Sequence, residues 1–167
     1  MGQASELPRH KCGKFDTIRL MKLLPILLAL PLLAADPEGF SMWTASQVKT
    51  TVNSGKLDEH KVALNRAANW GNHQLLLIRR EGDGEAEVHD TQVDVITILS
   101  GEGTLVIGGT VVEPRTTGPG ETRGKSIMGG ISKKMAPGDI FHVPAKLPHQ
   151  MLVPKMLTFQ VIKVDVK

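Results

Sequence analysis

The spacing of apolar residues changes character along the chain, and each change marks an element. A thirteen-residue apolar run, LLPILLALPLLAA, follows Met21-Lys22 and stops before Asp36. Trp43, Val48 and Val52 then fall on one side of a short helix through about Asn53. Thr44 or Ser46 can cap its start and Ser54-Gly55 ends it, and it is expected to close one end of the fold. Beyond it the period drops to two, or to compact apolar runs between turn residues, which predicts strands. These fall at residues 61–65, 73–80, 93–99, 104–107, 126–128, 131–135, 140–143, 150–153 and 157–166. Trp70-Gly71-Asn72, Glu81-Gly82-Asp83-Gly84, Gly101-Glu102-Gly103 and Gly129-Gly130 supply turns. Residues 114–125, rich in Thr, Gly, Pro and charge, predict a long loop instead. Such loops carry specificity, so Arg115, Glu121 and Arg123 are candidate substrate contacts, with Glu–Arg pairing in solvent as the plainer reading.

Composition changes the picture mainly at the N-terminus. Residues 1–35 hold five Lys/Arg against only Glu6 and Asp16, so of 20 basic and 17 acidic residues 15 of each remain in residues 36–167. A neutral domain gives no electrostatic support to a nucleic-acid or acidic-membrane partner. The leader explains the asymmetry: a positive start, a brief apolar core and an Ala-Ala end describe a secretory signal peptide with core 21–35. Thirteen residues fall short of the about 20 a membrane span needs, and Pro25 and Pro31 argue further against a stable anchor. The expectation is a periplasmic or secreted protein, read from Met1 or from an internal start at Met21. The sole thiol, Cys12, lies in the leader, so the remaining domain has neither disulfide nor cysteine nucleophile. A chain of 167 residues suits one domain, divided as leader 1–35, helix and entry strands 36–74, and β-barrel 75–167.

Two stretches carry the candidate chemistry. In EAEVHDTQVDVITILSGEG, residues 85–103, six residues separate Asp94 from Gly101 and four separate His89 from Asp94. In PGDIFHVPAKLPH, residues 137–149, Gly138, Pro144 and His149 keep a second fixed spacing. The two motifs, in this order and spacing, resemble those of the cupin superfamily. There the first reads Gly, five residues, His-x-His, three or four residues, Glu, six residues, Gly. The second reads Gly, five residues, Pro-x-Gly, two residues, His, three residues, Asn. The chain departs from them at Glu87 in the first His place, Lys146 in the Gly place and Val153 in the Asn place, and the nearest glycine to the opening one, Gly82, is a residue out of register. The resemblance covers about residues 75–165 and implies an all-β fold, a single jelly-roll-like barrel behind the short N-terminal helix.

Successive side chains of a strand point to opposite faces, so Glu87 and His89 share one, as do Asp94, Ile96 and Ile98. On the cupin pattern those faces look into the barrel, and Glu87, His89, Asp94 and His149 become metal ligands. Two imidazoles with carboxylates suit a divalent transition metal, Fe, Mn, Ni or Zn, without choosing among them. Glu87 reads alternatively as an exposed edge residue, and Asp94 as an acceptor that orients His89. His142 shares strand parity with Ile140 and is a candidate catalytic acid or base, or else packs against the helix. Gln92 and Gln150 are hydrogen-bonding neighbours. Two functions follow: an exported metal-dependent enzyme, dioxygenase-like or isomerase-like, acting on a small molecule; or a non-catalytic cupin binding a carbohydrate or organic acid. A homodimer is expected in either case, through the segment before His73 or the terminal strand.

Overall fold

The computed structural model describes residues 35–166, and the signal peptide expected of the leader lies outside the described residues. The chain divides into Met1–Phe40 and Ser41–Lys167. The second unit carries one helix, α1 (Ala45–Ser54), and thirteen strands: β1 (Val62–Asn69), β2 (His73–Arg80), β3 (Ala86–His89), β4 (Gln92–Gly101), β5 (Gly103–Ile107), β6 (Thr110–Val112), β7 (Arg115–Gly118), β8 (Glu121–Gly124), β9 (Ser126–Met128), β10 (Ile131–Met135), β11 (Ile140–Val143), β12 (His149–Leu152) and β13 (Leu157–Asp165). A boundary at residue 75 would cut β2 and separate it from β1, so helix, entry strands and barrel form one unit.

Two antiparallel sheets build it. One has the order β1-β2-β13-β4-β11 and the other β10-β5-β12-β3-β8-β7, with β6 and β9 pairing alongside. Inward residues of the first sheet (Leu76, Ile78, Ile96, Ile98, Phe159, Val161) meet Leu105, Met135 and Val153 in one core. The second cluster explains why β2 is apolar without alternation. Leu75 and Leu77 leave the first sheet on its outer face and are covered by Val52 of α1, with Trp43, Val48, Leu99 and Ile162 around them. A strand buried on both faces has no solvent side to make polar. The helix therefore covers a sheet face and does not close the barrel's end. Its capping box is Thr44 with Gln47, the Thr44 Oγ1 accepting from the Gln47 N–H at 3.2 Å. Trp70 stands edge-on to Trp43 and stacks on His73, which makes His73 a rim residue.

Three sequence expectations need correction. Residues 114–125 are not a loop: β7 and β8 form a hairpin about Pro119-Gly120, and β8 goes on to pair with β3. Thr-rich flanks around Pro-Gly are compatible with strand, and only the partner strand, some thirty residues earlier, reveals it. The strands on either side of Gly129-Gly130 do not pair with each other; β9 pairs with β6 and β10 with β5. The terminal strand β13 is central, between β2 and β4, and offers no edge to a second subunit. β1 keeps a free edge.

The turn before β12 shows how the departure at Lys146 is accommodated. Lys146 has φ +65°, a left-handed conformation that glycine adopts without strain. Its N–H donates to the His89 carbonyl at 2.7 Å, so this strained residue ties the second motif to the first. We predict that Lys146→Gly stabilises the fold by about 0.5–1 kcal/mol: the left-handed penalty of about 1–2 kcal/mol is removed, less the added entropy of an unfolded glycine. Urea unfolding tests this, and a destabilised variant would contradict it.

Candidate metal centre

The site is a cross-strand construction on β3. In register, Glu87 lies opposite Arg123 of β8 on one side and His149 of β12 on the other. His89 lies opposite Glu121. From the facing sheet, Asp94 of β4 stands in register with Lys163 of β13. Five strands thus deliver one polar cluster, in which His89, Asp94 and His149 are 3 %, 5 % and 4 % exposed.

The imidazoles are oriented from behind. His89 Nδ1 donates to the Glu121 carboxylate at 2.7–2.8 Å, and His149 Nδ1 donates to the Leu147 carbonyl at 3.2 Å. Both Nε2 atoms therefore face the cluster, which is how metal-bound histidines are usually held. His89 Nε2 lies 3.5 Å from Glu87 Oε2 and 3.4 Å from Asp94 Oδ2, and His149 Nε2 lies 3.7 Å from that same Asp94 oxygen. Donor atoms about 2.0–2.2 Å from one tetrahedral ion sit about 3.4 Å apart, so these spacings suit a shared cation. Glu87, His89 and His149 each offer one ligand atom, all within 4.8 Å of one another. Asp94 Oδ1 is buried without a hydrogen-bond partner, 3.2 Å from Lys163 Nζ. Arg123 Nη1 holds Glu87 Oε1 at 2.7 Å. The donor set fits a divalent transition metal.

Electrostatics prepare these groups. Burial disfavours the charged carboxylates of Glu87 and Asp94. The hydrogen bonds to His89 and the cations Arg123 and Lys163 outweigh it and hold both well below the usual carboxylate range. Burial keeps His149 neutral, below the usual imidazole value, which leaves its Nε2 lone pair available. His89 is also pushed down by burial, but Asp94 and Glu87 prevail and raise it to about 9. Lys163 is the competing cation: its Nζ is 2.9 Å from His89 Nε2. An ammonium and a protonated imidazole cannot both present N–H across that contact, so a proton or metal ion at Nε2 requires Lys163 to turn away.

The expected site residues thus part company. Glu87, His89, Asp94 and His149 converge. Glu121 and Arg123 reach the site as cross-strand partners of His89 and Glu87, not as loop contacts, while Arg115 pairs with Glu85 at 2.7 Å. His142 is exposed on β11, opposite Val95 on the strand's outer face; Phe141 and Val143 are the residues that point inward. It is therefore neither in the pocket nor against the helix, and is not the catalytic group expected. Gln92 bonds Asp165, away from the cluster, and Gln150 bonds backbone at Gly84 and Ile127. Lys163 was missed because it looks like the polar half of a strand. Its parity with Phe159 and Val161, both inward, was the available signal.

No family model matches the chain, and neither does any curated protein at the sequence level. Its structure is similar to that of an uncharacterised Klebsiella pneumoniae protein with a double-stranded β-helix domain. That match has TM-score 0.51 and 16 % identity and covers 78 % of this chain and 91 % of that one. The chain has the cupin fold. Two other solved structures are similar at lower scores. KdgF from Halomonas sp. matches at TM-score 0.47 and 13 % identity, over 66 % of this chain and 86 % of that one. A predicted oxalate decarboxylase from Thermotoga maritima matches at TM-score 0.47 and 12 % identity, over 63 % and 81 %. In this cupin barrel the histidines of both motifs occupy one site, with Glu87 standing where the usual first histidine would be.

In the metal-free protein His89 is predicted to titrate above 6.5, toward about 9. Because its folded value is raised, it contributes stability that is fully present below about pH 6.5 and lost as pH rises to about 9. NMR titration of the imidazole tests this. Asp94→Asn should lower the midpoint, and a wild-type midpoint below 6.5 would contradict the assignment.

Proposed function

We propose that this cupin barrel binds a divalent transition metal through Glu87, His89 and His149, with Asp94 as a further carboxylate, and acts on a small molecule in dioxygenase-like or isomerase-like chemistry. What supports this reading is the pair of imidazoles whose Nδ1 atoms are held from outside while both Nε2 atoms face two carboxylates at 3.4–3.7 Å. A bound metal would act as a Lewis acid on a substrate oxygen. The chain's own part is to orient: Glu121 fixes the His89 ring, Arg123 fixes the Glu87 carboxylate, and Lys163 and Asp94 place a mobile proton donor beside a buried acceptor. The adjoining cavity, about 490 Å³, is sized for a small molecule.

A second reading rests on the 2.9 Å contact between Lys163 and His89. In it the ammonium is the resident cation of a non-catalytic binding pocket. Metal analysis of protein purified without chelators separates the two. The metal reading expects stoichiometric transition metal, affinity lowered well over tenfold in His89→Ala and His149→Ala with the β circular-dichroism signature retained, and no change in Gln92→Ala. Wild-type protein that takes up no metal at neutral pH would leave the binding reading standing.

The proposal extends to an exported homodimer, joined at the free edge of β1, where Leu64 is 54 % exposed. Light scattering at micromolar concentration should give a dimer mass that falls to monomer in Leu64→Lys; a wild-type monomer rejects the pairing.

A further inference from the structure

The cavity beside the cluster carries a cation that no side chain lining it pairs with directly. Arg80 closes β2 on the inward parity of Leu76 and Ile78, so its side chain enters the barrel and lines the same cavity as Glu87, Asp94 and His149. The other cations there are paired: Arg115 with Glu85, Arg123 with Glu87 and Lys163 with Asp94. Asp58 and Asp83, whose Oδ1 atoms accept the N–H groups of His60 and Val62 and of Val153, attract Arg80 at longer range without forming an ion pair with it. Arg80 forms no ion pair or side-chain hydrogen bond among the described residues, and its Nε is buried without a partner. Burial costs this guanidinium part of its hydration and lowers its pKa, with Glu87 as its strongest opposing charge. A charge half removed from water is costly unless a partner replaces the lost hydration.

Space is also reserved for it. A Cβ on Gly84 would stand 3.0 Å from Arg80 Nη1, 3.1 Å from its Cζ and 3.2 Å from the Met151 carbonyl oxygen. Gly84 is not held in a left-handed conformation, so glycine is needed here for room rather than for backbone freedom. The guanidinium lies where a side chain at position 84 would otherwise be.

We propose that the cavity selects small-molecule carboxylates, with Arg80 as the residue that receives the carboxylate. A planar guanidinium presents two parallel N–H donors, which match a carboxylate's two oxygens. The assignment rests on the metal-site reading, deepening it to a substrate class: a molecule held at one end by Arg80 and presenting its reactive oxygen to the cluster. Arg80 is thereby a specificity residue, not a metal ligand.

Calorimetry with metal-free and Co(II)-loaded protein tests it, using acetate, succinate, citrate and gluconate, each beside its neutral amide. Wild type is expected to bind at least one of the acids and to bind its amide much more weakly. Arg80→Gln should weaken the acid by about 10- to 100-fold, the loss expected for a charge-assisted pair, without weakening Co(II) binding. Arg80→Lys should recover only part of it, because the charge remains but the fork does not. Gly84→Ala, which keeps Arg80 and crowds its guanidinium, should shift affinity the same way by less, and guards against misfolding of the Arg80 variants. Equal binding of acid and amide, equal binding by wild type and Arg80→Gln, or no acid bound at millimolar concentration overturns the assignment. Arg80-dependent acid binding by protein that takes up no Co(II) would sink the metal reading alone and leave the carboxylate site standing.

Discussion

The structure depends on the position of β3, four residues held between β8 and β12. Its two inward side chains are acidic and basic, His89 fully buried and Glu87 half-buried at the cavity, and each needs partners in place of water. Register does this: Arg123 and His149 flank Glu87, and Glu121 faces His89. A slip of one residue would turn Glu87 and His89 outward and bring Val88 in, breaking every polar contact at once. The β7–β8 hairpin is accordingly part of the site's framework. Without β8, the Glu87 carboxylate and the His89 ring would lose the partners that set their direction.

The cluster pairs burial with compensation. Charged groups leave water only if the charges and hydrogen bonds around them replace hydration. Here acids and bases alternate across the space between the sheets, so that each carboxylate is held ionised, while burial holds His149 neutral against the pull of those carboxylates. One lone pair, on His89 Nε2, is contested by Lys163. That contact sets an ammonium group at the cavity wall, beside the carboxylate of Asp94. Arg80 stands apart from this balance, half-buried in the same cavity with its guanidinium close against Gly84.

Local chemistry made much of this legible in advance. Alternation and turn residues located most strands because a half-buried strand must alternate, and Thr44 or Ser46 marked the helix start because the orphan N–H groups need acceptors, the structure choosing Thr44. The resemblance to the cupin motifs implied that His89, Asp94 and His149 meet at one site; strand parity by itself put only Glu87 with His89, and Asp94 with Ile96 and Ile98, on common faces. The excursion at 114–125 misled because Thr, Gly, Pro and charge are loop-like unless a distant strand supplies the other half of the ladder. His142 misled because parity was counted from Ile140, which is itself exposed.

What the sequence determined by itself is therefore the β class, the cupin spacing and the histidines, since these depend on residues near one another in the chain. Tertiary structure decided the rest. Glu121 became the orienting acceptor of His89, Arg123 the clamp of Glu87, Lys163 a rival for the His89 lone pair, and Arg80 a lone cation in the cavity. Each role is set by a partner some thirty to seventy residues away, or by the absence of one, and no local pattern encodes a pairing across two sheets. Physical contact is decided by strand order and register, and those are properties of the whole barrel.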